Sequence, residues 1–518
     1  MQLSRKILGD IHPVKMDIPH ADIFDLPEKV LQFGTGVLLR GLPDFFIDKA
    51  NTRKIFNGRI VVVKSTDSSG PDLFRKQDGL YTHISKGYEA GSYTEERSIN
   101  TSFSRVIVAK ENWDQVLACA ENPEMQIVIS NTTEEGLVLV KENIFTSPPL
   151  SFPAKLLSFL YTRYTFFDHD PTRGMVIIPT ELIPDNAGKL KDILIDLSIF
   201  NNLEESFLAW LVNANYFCSS LVDRIVPGGL KENNKKEIAE ELGYSDDLLI
   251  MSESYRFWAI ESDNEKVRNI ISFSTADEGV VVVPDIRSYS RLKLHLLNGS
   301  HTFCCGLAYM AGLRTVHEFM EEPAFSGFVQ NLLFQEIIPS LVSDEISVEQ
   351  AEAFALKTLD RFRNPFIVHH WLSICSNYST KMKLRNVQTM LSHMRRFHTP
   401  PPLMALGFAG YLLFMRPVET DGTNYYGREI GRKYPINDMS SSYFHELWQT
   451  CDIDNLLLKV LKNETLWGTD LSSPHGFADE VKKSLYMLLK KGVTKTIDTI
   501  NIKNTNQLYE NCYQGKSV

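Results

Sequence analysis

Lys293, Asn298 and His301 stand within the apolar segment RLKLHLLNGSHTFCCG, and polar groups so embedded need a partner or a task. A lysine desolvated in a cleft can release its proton near neutrality and exchange it with an alcohol oxygen. An asparagine amide can donate to an oxygen on which negative charge develops, and a histidine can orient that oxygen or the lysine. On an α-helix of ~100° per residue the three project near 0°, 140° and 80°, so one sector of about 140° presents them all across about 12 Å. The chemistry expected of them is acid/base work on an alcohol or carbonyl, with Lys293 as the acid/base. A plain structural reading stays open beside it: a snorkelling lysine, an asparagine capping the turn before Gly299 and a satisfied core histidine.

A second candidate is the glycine turn in KVLQFGTGVLLRG. Closely spaced glycines let a backbone approach a pyrophosphate, and a following helix aims N–H groups at that charge. Gly34, Thr35 and Gly36 suit that task, although Leu39 holds the third glycine position of the dinucleotide fingerprint and only Gly41 lies nearby. The same glycines could simply turn a strand into a helix. The acid expected on a cofactor ribose is Asp67 in KSTDSSG, which favours NAD over NADP; it could equally cap a loop, and Lys64 opposes the charge argument.

The elements that must carry these residues follow from the apolar pattern. Residues 30–33, 60–63, 104–109, 126–129 and 175–178 read as buried strands, with helical stretches such as DFFIDKANTRKIF and NWDQVLACAENP between them. Strand, helix and strand at that distance suit parallel crossovers. After about residue 185 the pattern turns helical, with one more strand at 280–283. The expected fold is α/β: a Rossmann-type parallel-sheet domain over residues 1–287, then a mainly α-helical domain over 288–518 that holds Lys293, Asn298 and His301.

Composition narrows the partners. The 518 residues hold 54 Lys and Arg against 64 Asp and Glu, a net charge of −10, which argues against nucleic acid as the ligand. The seven cysteines lack metal-type spacing, so neither a disulfide framework nor a metal site is expected, and a reducing cytoplasm fits best. His369-His370 is the only adjacent histidine pair and reads as part of a helix. The N-terminus has no signal-like apolar core, and the longest apolar run, residues 403–415, is too short to span a bilayer, so no membrane partner is expected. The oligomeric state stays open.

The segment KLHLLNGSH, with Lys293-x4-Asn298-x2-His301, resembles the signature of the polyol-specific long-chain dehydrogenases typified by mannitol dehydrogenase. The resemblance extends along the chain through QFGTGVLLRG, QDGLYT, SNTTEEGL, SLVDRIVPG and RFRNP, and is strongest to the branch that reduces tagaturonate to altronate in hexuronate catabolism, with the fructuronate reductases and mannitol-type dehydrogenases of the same family as the alternative. It implies metal-free hydride transfer between NAD(H) and an open-chain sugar acid. It also implies cofactor contacts at Asn131, Thr132 and Thr133, an oxyanion role for Asn298, a substrate-orienting role for His301, and substrate contacts at Asp223, Arg361 and Lys381. Asp223 also reads as a structural partner of Arg224, and Arg361 and Lys381 as surface helix charges. The family's second oxyanion asparagine is replaced by Leu182 in PTELIPDN, which leaves Glu181, Asn186 or a water as candidates for that task.

Overall fold

The computed structural model describes residues 1–11, 16, 18–65, 71–132, 136–228, 232–474 and 476–499. The chain divides into two compact units, residues 1–87 with 93–287, and residues 88–92 with 288–518.

The first unit is built on six parallel strands: β1 (Glu28–Phe33), β2 (Arg59–Lys64), β3 (Phe103–Val108), β4 (Ile127–Ser130), β5 (Val176–Pro179) and β6 (Tyr216–Phe217). Their spatial order is β3-β2-β1-β4-β5-β6, the doubly wound order in which the chain reverses direction between β1 and β4. Register pairs Leu31 with Val61 on one side and Val128 on the other. Alternate strand residues feed two separate cores. Leu31, Phe33, Val61, Val63 and Val128 face one, and Val30, Ile60, Val62, Ile127 and Ile129 face the other. That two-sided burial explains why these strands read as continuous apolar runs.

The region after residue 185 is less helical than its sequence suggests. Besides β6, it holds strands at Ser220–Asp223, Ile250–Glu253 and Phe257–Glu261 before the expected strand Val280–Val283. Ser220–Asp223 runs antiparallel to Phe257–Glu261, which pairs in parallel with Val280–Val283. Each is two to five residues long, too short for an alternation to show in sequence.

The second unit is a helical assembly around one large core, with a small antiparallel sheet of Glu419–Asp421, Asn424–Glu429 and Arg432–Pro435. At its centre the helix Ser300–Met310 packs on the helix Pro402–Phe414. Glycine sets that distance: a Cβ on Gly306 would lie 2.7 Å from the Gly410 carbonyl oxygen and 2.9 Å from the Tyr378 hydroxyl. Helix Pro402–Phe414 is the long apolar run of the sequence, buried in this core; no helix among the described residues is long and apolar enough to cross a membrane. Three segments, Lys293–Gly299, Leu332–Ile337 and Lys383–Val387, are wound as wider π turns.

Candidate functional site

In the first unit the site residues meet at the carboxyl edge of the sheet, where β1 and β4 lie side by side and Phe33 pairs with Ser130. Such a reversal point is where doubly wound sheets bind their ligands. Gly34 follows β1 with φ +127°, and a Cβ there would stand 2.9 Å from Leu39 Cδ1 and 3.3 Å from the Asn131 carbonyl oxygen. Leu39, at the third fingerprint position, is fully buried. Gly36 is exposed, with no heavy atom within 4 Å of its would-be Cβ, so its backbone stays open to a phosphate. The helix it starts, Val37–Gly41, is a single turn, and a second helix begins at Pro43.

Asn131 is held by its own amide, which donates to the Thr180 carbonyl and hydroxyl oxygens, both at 3.0 Å. Thr132 donates to Glu181 Oε1 through its backbone N–H at 2.8 Å and its hydroxyl at 3.1 Å, and Ser130 Oγ donates to Glu181 Oε2 at 3.2 Å. Burial raises the Glu181 carboxyl above its usual range, while these donors oppose the rise. Glu181 is therefore a brace for the loop after β4. Asn186 is a pin: its Nδ2 is placed to donate to the carbonyls of Pro179, Glu181 and Ser220, and its Oδ1 accepts from Ser220 N. With its donors so occupied, Asn186 does not replace the missing oxyanion asparagine, and Leu182 itself is 59% exposed.

Asp223 is buried at the end of Ser220–Asp223, paired through its backbone with Phe257. Arg224 beside it donates to the carbonyls of Glu253 and Gly41 and to Ser85 Oγ. Asp67 and Thr133 lie outside the described residues.

The second unit holds Lys293, Asn298, His301, Arg361 and Lys381. Lys293 opens a π turn that ends at Gly299, and His301 lies in the helix that continues from it. This corrects the α-helical projection. A π turn bonds residue i to i+5, so Asn298, five positions after Lys293, returns to the same side instead of moving on by ~140°. π turns inside helices are frequent at functional sites. Both side chains are half-buried.

His301 is 7% exposed, stacked on Phe362 at 4.1 Å between ring centroids and edge-on to His369 and Trp371. Its Nε2 is buried without a hydrogen-bond partner among the described residues. Burial holds the imidazole well below its usual pKa, and the charges of His369, Arg361, Arg385 and Lys381 add to that effect. His301 is thus a neutral ring in cationic surroundings.

The charges that reach His301 include those of the expected Arg361 and Lys381, of His369, which the sequence marks only as half of a histidine pair, and of Arg385, which the sequence does not single out. His369 is not helical as expected; it sits in the connection before helix Trp371–Ile374, where the backbone of neighbouring His370 bridges to Thr315. Its pKa is lowered by burial and then by Arg361. Lys381 donates to the Ile374 carbonyl at 2.8 Å, and Arg385 Nη1 to Thr302 Oγ1 at 3.3 Å. Among the described residues no three His, Cys, Asp or Glu side chains converge as a metal site requires.

Sequence models of two domains match the chain: a mannitol dehydrogenase Rossmann domain at residues 28–271 and a mannitol dehydrogenase C-terminal domain at residues 285–489. The altronate oxidoreductase of Halalkalibacterium halodurans is 35% identical over 486 residues, 92% of this chain and 93% of its own. That of Bacillus subtilis is 34% identical, covering 91% and 95% respectively. Among solved structures, Pseudomonas fluorescens mannitol 2-dehydrogenase, in a ternary complex with NAD and D-mannitol, aligns over 97% of this chain and all of its own. Its TM-score is 0.66 at 21% identity. A substrate-free D-sorbitol dehydrogenase aligns over 96% of this chain and all of its own, with a TM-score of 0.78 at 18% identity. At these identities the two structures bear on the fold alone.

Proposed function

The chain belongs to the mannitol dehydrogenase family and is an oxidoreductase acting on CH–OH groups, and from that premise we propose that it reduces tagaturonate to altronate with NADH, reversibly and without a metal. The altronate oxidoreductases similar to it along nearly their full length support the substrate. The open backbone at Gly36, two residues after the Gly34 that abuts the Asn131 carbonyl at the sheet's reversal point, fits a dinucleotide. A bound nicotinamide would supply the hydride.

The chain's own residues handle the proton and the oxygen. Lys293 gives its proton to the oxygen that is a ketone in the substrate and an alcohol in the product, and takes it back in reverse. Asn298 donates to that oxygen as charge develops on it. The single observation that carries the proposal is His301: a buried, neutral imidazole with an unpartnered Nε2, one helical turn beyond Asn298, is a group held ready for a substrate oxygen. The cations around it suit a sugar acid better than a neutral polyol.

The test follows NADH absorbance as purified protein meets tagaturonate, with fructuronate, fructose, NADPH and EDTA arms. Fast oxidation with tagaturonate, indifferent to EDTA and slower with NADPH, is expected. Preference for fructose would remove the sugar acid from the proposal, and loss of activity with EDTA would remove the metal-free chemistry.

A further inference from the structure

We propose that Arg385, with Lys381 beside it, forms the subsite that takes the substrate's carboxylate and selects sugar acids over neutral sugars; this rests on the reading of the substrate as a sugar acid.

Arg385 is mounted on a braced stretch of main chain. It lies in the π turn Lys383–Val387, whose backbone is fastened to the site helix. His295 Nδ1 lies 2.8 Å from the Arg385 carbonyl oxygen, which can only accept, so that nitrogen carries the proton. Asn386 Nδ2 donates to the Gly299 carbonyl at 3.0 Å. Both bonds join this turn to Lys293–Gly299, so the Arg385 main chain moves with the segment that carries Lys293 and Asn298.

The guanidinium is treated differently. Of its five N–H donors one is spent, at 3.3 Å on Thr302 Oγ1, the residue after His301. None of its nitrogens is enclosed and unpartnered, so the rest remain reachable. Among the described residues Arg385 meets no carboxylate, and neither does Lys381, four positions before it, whose ammonium goes to the Ile374 carbonyl. Other arginines of this unit show the alternative: Arg291 meets Glu345, Arg314 meets Glu429 and Arg363 meets Asp360.

Two half-buried cations one helical turn apart repel each other, and each is partly stripped of water. An anion between them relieves both costs. A planar carboxylate matches the fork of a guanidinium, and the ammonium adds a third donor. The unpartnered Nε2 of His301, in the field of the same two cations, places this anion site beside the group proposed to hold the substrate oxygen. Arg385 thus sets specificity, and proton transfer stays with Lys293.

The test measures competitive inhibition by two dead-end sugars at saturating NADH: an aldonate, and the alditol with CH2OH in place of the carboxylate. Wild-type protein is expected to bind the aldonate at least about 100-fold more tightly, and Arg385→Met to bring that ratio below about 10-fold while Arg385→Lys keeps an intermediate value. An unchanged ratio in a folded Arg385→Met variant overturns the inference and leaves the proposed function standing. No preference for the aldonate in the wild type overturns both. Should Arg385→Met not fold, Lys381→Met decides in its place: the ratio falls at least about 3-fold if the pair shares the carboxylate, and stays unchanged if it does not.

Discussion

Arg163 in the first unit and Arg385 in the second are both guanidinium groups drawn away from water, and they are held in opposite ways. Arg163 is 1% exposed and donates to four main-chain carbonyls, those of Arg173, Ala120, Asn122 and Met125, at 2.6–3.0 Å. Burial brings its pKa down to about 10, yet four of its five N–H donors are used. Arg385 has one hydroxyl at 3.3 Å. The first cation is consumed by the fold, tying helix Phe152–Phe166 to the turns that precede β4 and β5. The second is left over by the fold. A buried charge whose donors are nearly all taken by its own chain is structural, and one with most of its donors left over marks where something else belongs.

The largest effect is expected in the second unit, at the acid/base beside this site. Lys293→Ala is expected to lower kcat by roughly 10²–10⁴-fold, with a milder change in NADH binding and a stability within about 1 kcal/mol of wild type. Stopped-flow turnover and a urea titration on the same preparation read both. Unchanged turnover in the folded variant would remove Lys293 as the acid/base and return it to the snorkelling role.

At Arg163 the reverse pattern is expected. Arg163→Met removes the guanidinium from four main-chain carbonyls, of which that of Asn122 keeps the Met125 N–H as a donor, and is expected to cost about 3 kcal/mol or more of stability, while kcat per folded molecule stays near wild type. A urea midpoint that does not move would show that these carbonyls find other partners and that Arg163 is not the tie described above.

How much of this was legible before the structure depends on what each feature writes into the sequence. The parallel sheet was legible because strands buried on both faces leave runs such as IVVVK and QIVIS that no exposed element tolerates. The strands Ser220–Asp223 and Ile250–Glu253 were not, because four residues are too few to show a period. Lys293, Asn298 and His301 stood out as polar groups in an apolar helix, but the π turn beneath them did not, since apolar spacing reports burial and not which carbonyl an amide chooses. Arg385 escaped for a related reason. In STKMKLR a basic residue four after a lysine has the look of a solvated helix face, and only its missing counter-charge distinguishes it. Asn186 shows the opposite limit: its type fitted the vacant oxyanion task, while its position spends its donors on the fold.

The smallest effect separates two histidines as Arg163 and Arg385 were separated. His83 in the first unit and His301 in the second are both held well below the usual imidazole pKa, first by burial and then by nearby cations. For each, the unfolded chain binds a proton near pH 6.5 that the folded chain refuses. Stability is therefore complete above pH 6.5 and falls as pH drops below it, by up to about 1.4 kcal/mol per unit for each ring. His83 Nε2 has a partner, Ser252 Oγ at 2.8 Å, and His301 Nε2 has none. His83→Phe should therefore flatten the acid slope and also lower stability at pH 8 by about 1 kcal/mol, through the lost bond. His301→Phe should flatten the slope without that loss, because the ring stacked on Phe362 is replaced by one of similar shape and an unpartnered nitrogen is removed. Urea midpoints at pH 8, 6.5 and 5 distinguish these outcomes. Equal losses at pH 8 would mean that His301 Nε2 is already satisfied in the resting protein, and it would then not be a group waiting for substrate.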